Sequence, residues 1–408
     1  MYFLFDAKKW SERDQCEYYD YTDCKIGVNG ARIVAAALGQ NESLQRLVME
    51  NNNLRVDGAR AIAGALRKNS TLRHLELCNN RIEDVGGKLI AKGLRQNSTL
   101  EFLGLRKNNM MDQGVQAIAT ALQQGSKLRR LELCYNNFGV DGARAIAGAL
   151  RQNTTLQQLD MDMQQYPYDF GHYQGIGIAG AQVIAESLHQ NSTLQILGLG
   201  GNGIGTRGAR AFAIALRQNS TLQQLELRRN HIGFNRNTWV HELTGALSQN
   251  STLRVLGLSE NPMSDYAVGS ISDALRQNSG LQVLRLSGLV MRDSGAQHIA
   301  YALRDNATLR HLELNDNGIG YAGSRHICKA LRQNFAMMQL DWNIGNRFGS
   351  ERLNLVNAIL MSNAETKYYA EHFVPLIGAQ RKLPFLVVRA IQEYLVSSKV
   401  VDGFYTAK

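Results

Sequence analysis

The stretch LRHLELCNNRI, residues 72–82, decides the fold. Leu75, Glu76 and Leu77 alternate apolar, polar and apolar, the period of a short strand with one buried face. Asn80 closes the strand and Ile82 returns to the apolar side. The same spacing, L-x-x-L-x-L-x-x-N-x-I, begins at Leu44, Leu72, Leu100, Leu128 and Leu156 with a strict period of 28, and again at Leu194, Leu222, Leu253, Leu281 and Leu309. The steps of 38 residues from Leu156 to Leu194 and of 31 from Leu222 to Leu253 mark insertions of ten and three residues. Weaker copies flank the array: Cys16, Tyr19, Tyr21, Cys24 and Ile26 fill the slots at the front, and Met337, Leu340 and Trp342 at the back. A fixed period of this length marks a solenoid whose degraded terminal units serve as caps.

The rest of each unit follows from the same reading. The slot filled by Asn52, Asn80, Asn108, Asn136, Asn202, Asn230, Asn261 and Asn317 calls for a buried amide that satisfies loop backbone groups of adjacent coils. In DGARAIAGALRKN, residues 57–69, Ala59, Ile62, Ala63 and Leu66 share one face of a helix and Asp57 is expected to cap its N-terminus. Stacked units give a parallel sheet and a ring of helices. Helices are wider than the ~4.8 Å strand spacing, so the stack must curve with the sheet inside.

A 28-residue unit of strand, asparagine and helix resembles the ribonuclease inhibitor class of leucine-rich repeats, shared with the NOD-like receptors and the GTPase-activating protein of Ran. The resemblance covers roughly residues 16–345 and implies an α/β leucine-rich repeat solenoid, a horseshoe with an inner parallel sheet and outer helices. The near-identical copies also resemble repeat proteins of protists and of bacteria that live inside eukaryotic cells. On this reading residues 1–15 are an N-terminal extension, 16–347 a solenoid of about twelve units, and 348–408 a helical cap. Within the cap, residues 383–399, LPFLVVRAIQEYLVSSK, also resemble the first helix of an F-box or the cullin-contacting end of a SOCS box.

Composition agrees with repetition. Only four prolines against 38 glycines point to an ordered chain that needs the same turn many times. The net charge of +10 owes much to one copied position at the helix ends, Arg67, Arg95, Arg151, Arg217, Arg276, Arg304 and Arg332, where arginine complements the helix dipole. The N-terminus lacks a signal-peptide core and no run of about 18 apolar residues occurs, so neither secretion by the general pathway nor a membrane is expected. Five cysteines without a CxxC pair fit reduced thiols and a cytoplasmic location, the host cytoplasm if the chain is a bacterial effector. Eight N-x-S/T sequons belong to the repeated phrase QNSTL and its relatives.

The concave strand positions interleave both charge signs, unlike a nucleic-acid groove, which should be dominated by basic and stacking residues. They suit a protein partner, with Phe102, Arg106, Arg130, Tyr135, Glu226 and Arg228 as contact residues. The ten-residue insertion carries Tyr166, Tyr168, Phe170 and Tyr173, aromatics that are costly to leave in water without use, and is expected to be a contact loop. Trp239, beside the smaller insertion, joins this group. Catalytic, cofactor and metal residues are expected to be none: His241-Glu242 lacks the second histidine of a zinc protease, and no phosphate loop, nucleophile elbow or dinucleotide fingerprint follows a strand. The expectation is a monomeric, non-enzymatic interaction scaffold. Its alternatives are a ubiquitin-ligase substrate adaptor acting through the C-terminal helices and a GTPase-activating protein.

Overall fold

The computed structural model describes residues 16–163, 175–233, 238–347 and 354–363. Twelve three-residue strands form one parallel sheet in sequence order. They are β1 Tyr18–Asp20, β2 Arg46–Val48, β3 His74–Glu76, β4 Phe102–Gly104, β5 Arg130–Glu132 and β6 Gln158–Asp160, then β7 Ile196–Gly198, β8 Gln224–Glu226, β9 Val255–Gly257, β10 Val283–Arg285, β11 His311–Glu313 and β12 Gln339–Asp341. A helix follows each strand from β1 to β11, and consecutive helices pack side by side. The fold is the expected α/β solenoid with the sheet as its inner layer.

The register does not slip. His74 faces Phe102, which faces Arg130, and the pairing continues as Gln158 to Ile196 and Gln224 to Val255 across the two insertions. The central strand leucines, Leu47 through Leu340, point into one continuous core with the helix faces expected from the sequence, including Ala59, Ile62, Ala63 and Leu66. Helices lie close because most units place glycine in the first helical turn. A Cβ on Gly86 would stand 2.4 Å from the Ile82 side chain and 3.1 Å from the Ala59 Cβ of the neighbouring helix.

Asparagine binds one coil to the next. Asn80 Nδ2 donates to Met49 O at 2.7 Å and Leu77 O at 3.0 Å, while its Oδ1 accepts from Asn52 N at 2.9 Å and Leu54 N at 3.3 Å. The other slot asparagines donate in the same way and are essentially sealed from solvent, and all but Asn202 also accept from the preceding coil among the described residues. Where Leu289 replaces it the slot stays buried, and the Leu289 amide still donates to Asn317 Oδ1 at 3.0 Å.

A second asparagine ladder runs along the opposite edge of the stack. Asn97 of the QNST phrase donates to Leu66 O at 2.9 Å and Asn69 O at 3.0 Å, and its Oδ1 accepts from Thr99 N and Leu100 N. Asn69, Asn153, Asn191, Asn219, Asn250, Asn278, Asn306 and Asn334 are buried in the same role. The sequon asparagines of this phrase are therefore structural. The ladder ends on residues 354–363, which are helical: Asn363 Nδ2 donates to Asn334 O and Met337 O, both at 2.9 Å, and Val356, Ile359 and Leu360 join the core.

The helix caps differ from expectation. Asp57 caps nothing; it lies in the first turn of the helix Arg55–Leu66, and its carboxylate stands 3.7 Å from Arg60 on the surface. Asp84, one position closer to the helix start in its unit, caps the next helix instead, accepting from Met111 N and Gly114 N at 2.8 Å. Asp112 does the same for Gly139 and Gly142, and Asp293 for Gly320 and Gly323. A cap delivered from the neighbouring unit ties helix ends to the stack, as the asparagines tie the loops.

Candidate concave binding surface

Strand alternation sets three columns on the open face of the sheet, two from the strand itself and one just beyond it. The first column carries a run of rings and cations across β1 to β5. The Arg46 guanidinium carbon lies 5.2 Å from the Tyr18 ring centre, the His74 ring stacks on Phe102 at 3.9 Å with a 6° tilt, and Arg130 lies 5.1 Å from the Phe102 centre. Glu76 fixes the run from the second column by pairing with Arg46 at 2.9 Å and with His74, while Glu132 holds Arg130. Burial pushes the His74 pKa below the usual imidazole range, with Arg46 and Arg130 adding to the effect against Glu76. Among the residues expected to contact a partner, Phe102, Arg106, Arg130 and Tyr135 fall together here. Arg106 is exposed in the third column, and Tyr135 is half-buried at the rim beneath Lys107 at 5.4 Å.

Glu226 and Arg228 belong to a second group, on β8 and just after it. Glycines at 198, 200 and 257 leave the floor bare, and the resulting hollow of about 380 Å³ is lined by Asp162, Glu226, Arg228, Arg285, Ser287 and Glu313 among others. Arg228 reaches Asp162 at 3.2 Å, and Arg285 bridges Glu226 and Glu313, the latter at 2.9 Å. Burial raises the pKa of Asp162, helped by the Asp160 charge, and burial likewise raises that of Glu226 despite Arg285. In both, the loss of water outweighs the pull of the neighbouring arginines.

The three columns can be tallied by charge. They hold nine carboxylates, Asp20, Glu50, Glu76, Glu132, Asp160, Asp162, Glu226, Glu313 and Asp341, against five arginines, Arg46, Arg106, Arg130, Arg228 and Arg285. In a chain of net charge +10 the concave face is acidic. Sequence reading saw interleaved signs and missed the excess, although the two strand columns alone already hold seven of the carboxylates against three of the arginines.

Trp239 is not a contact residue. It is 1% exposed, in the first turn of the helix Thr238–Gln249, in the slot where other units place the glycine of the helix crossing. The indole fills the core there instead of a bare backbone. Tyr166, Tyr168, Phe170 and Tyr173 lie outside the described residues, as do residues 364–408, which hold the segment resembling an F-box or SOCS helix. His241-Glu242 is a surface pair: Glu242 binds Arg210 at 3.1 Å and Arg217 at 2.8 Å, and His241 meets the Tyr266 edge.

The concave thiols are chemically quiet. Burial pushes Cys78 up to about 12, and Cys134 rises further for the same reason, with Asp160 adding to it, so neither forms the thiolate that nucleophilic chemistry requires. Among the described residues, no helix is long and apolar enough to cross a membrane.

Comparison with known proteins agrees with the repeat reading. The family model of the leucine-rich repeat matches seven segments, residues 40–63, 68–91, 96–119, 126–147, 190–213, 218–233 and 305–328. No curated protein matches the chain. Among solved structures, it is similar to leiomodin-1 actin-binding site 2, at 19% identity and a TM-score of 0.37 over 43% of this chain and 97% of that one. It is also similar to the tropomodulin C-terminal domain of Caenorhabditis elegans, at 12% identity and a TM-score of 0.35 over 40% of this chain and 97% of that one. Seven units match the repeat model and twelve strands stack in sequence order, so the chain carries leucine-rich repeats built into one solenoid.

Proposed function

We propose that the chain is a non-catalytic scaffold whose concave face holds a protein partner through a basic surface of that partner, with the insertion bearing Tyr166, Tyr168, Phe170 and Tyr173 as a second contact. The observation that carries the reading is the acidic excess on the concave face of an otherwise basic chain. The half-buried carboxylates with raised pKa, Asp162 and Glu226, gain when a partner's lysine or arginine replaces the water they have lost. Phe102, sandwiched between His74 and Arg130, is a rigid aromatic anchor at little entropic cost. Twelve strands at ~4.8 Å make a face roughly 50 Å long, the scale of a folded domain.

The test is affinity capture from eukaryotic cytosol with three proteins matched for folding by circular dichroism: the native chain, Asp162→Asn/Glu226→Gln, and a variant with the four insertion aromatics changed to serine. The expected result is one basic protein captured by the native chain and lost from the first variant. Raising salt from about 0.15 M to about 0.5 M should release it, because rim charges are then screened. Capture that survives both the neutralised hollow and high salt rules out the electrostatic reading. Loss from the serine variant identifies the insertion as part of the contact, and equal capture removes it.

A further inference from the structure

We propose that His311, Glu313 and Asp341 form a facial binding site for one divalent ion of the zinc type on the concave face at β11 and β12. His311 and Glu313 are two residues apart on β11 and so share a face, and the parallel register sets Asp341 of β12 beside Glu313. One ligand atom from each of the three lies within 4.8 Å of the others. His311 Nε2 stands 2.8 Å from Asp341 Oδ2 and 3.9 Å from Glu313 Oε1. An ion with bonds of about 2.0–2.2 Å to nitrogen and oxygen needs its ligands about 3–3.5 Å apart, so side-chain adjustment alone seats it.

The surroundings suit an ion. Arg285 Nε donates to Glu313 Oε1 at 2.9 Å, and Gln339 Nε2 donates to both Asp341 oxygens at 3.2 and 3.1 Å, so both carboxylates are already oriented by the outer contacts that metal ligands require. Two ligand carboxylates, with Glu226 behind Arg285, leave the cluster negative. One imidazole with two carboxylates favours a borderline ion over calcium, which prefers an all-oxygen shell. The side chains are 21%, 24% and 38% exposed, so the remaining coordination positions open toward the concave face.

The molecule contains its own control. His74 and Glu76 occupy the same two slots on β3, but the register places Phe102 and Gly104 beside them, so the third ligand is missing and the ring of Phe102 covers the imidazole. The site on β11 and β12 therefore depends on Asp341.

The experiment titrates the full chain, stripped with chelator, with zinc by calorimetry and with cobalt by visible absorption. It uses a Cys16→Ser/Cys24→Ser background because these thiols are the accessible ones. One equivalent is expected to bind, weakened at least about tenfold by Asp341→Asn or His311→Gln and unchanged by His74→Gln. Circular dichroism confirms that each variant folds. Absence of stoichiometric binding, binding that survives Asp341→Asn and His311→Gln, or binding lost with His74→Gln overturns the proposal.

Discussion

Replacing Asn80 with alanine is expected to cost about 3–5 kcal/mol of stability. The side chain joins two units: it donates to Met49 O and Leu77 O and accepts from Asn52 N and Leu54 N, all beyond the reach of bulk water. Its removal orphans three backbone groups of the preceding unit, Met49 O, Asn52 N and Leu54 N. Each buried orphan costs about 1–3 kcal/mol, and the lower half of that range applies where a water can enter the vacated space. Against a total of about 5–15 kcal/mol this is a large fraction. Because repeats are coupled only to their neighbours, the urea transition should also broaden as the front units separate from the rest. Urea unfolding followed by far-ultraviolet circular dichroism measures both effects. Asn79→Gly is the control, since Asn79 is exposed with φ +55° and glycine keeps that conformation; it should change stability by no more than about 0.5 kcal/mol. A loss below about 1 kcal/mol for Asn80→Ala, or one equal to the control, would refute the bridging role.

Three further outcomes follow. Asp84→Ala should cost about 1 kcal/mol in chemical unfolding, whereas Asp57→Ala should stay within about 0.5 kcal/mol, because only Asp84 caps a helix. Trp239→Ala should cost about 3–5 kcal/mol as a core cavity and should leave partner capture by the remaining folded protein unchanged. The Asp162 pKa is raised in the folded chain, so its ionisation opposes folding: its contribution improves as pH falls through the raised value toward the unfolded one and is lost as pH rises. Unfolding measured across that window should therefore find Asp162→Asn comparing more favourably with the native chain at neutral pH than at acidic pH, and the opposite trend would reverse the assignment.

The sequence made the solenoid legible because its information is periodic. Leu75, Leu77 and Asn80 recur at fixed offsets, and each has one physical role wherever it recurs. The same periodicity hid the second ladder: Asn97 is as regular as Asn80, but its phrase also spells a glycosylation sequon and the end of a helix, so its amide looked spoken for. The capping difference between Asp57 and Asp84 turns on a one-residue phase within the first helical turn, and the acceptor belongs to one unit while the donors belong to the next. Trp239 misled because an aromatic beside an insertion looks like a surface anchor, whereas it takes the slot that a glycine holds in other units and is buried in the core. The His311, Glu313 and Asp341 cluster could not be seen at all along the chain, since register across 28 residues creates it.

The unbroken register turns the sheet into a ruler. Two units are longer, by ten residues and by three, yet every strand keeps its partner, so the separation between the Phe102 stack and the Asp162 hollow can change only by adding or deleting a whole unit, in steps of ~4.8 Å. Duplication of a repeat would shift one patch against the other by a fixed increment without disturbing either, which lets recombination tune the span that a partner must bridge while point substitution tunes what it meets at each end.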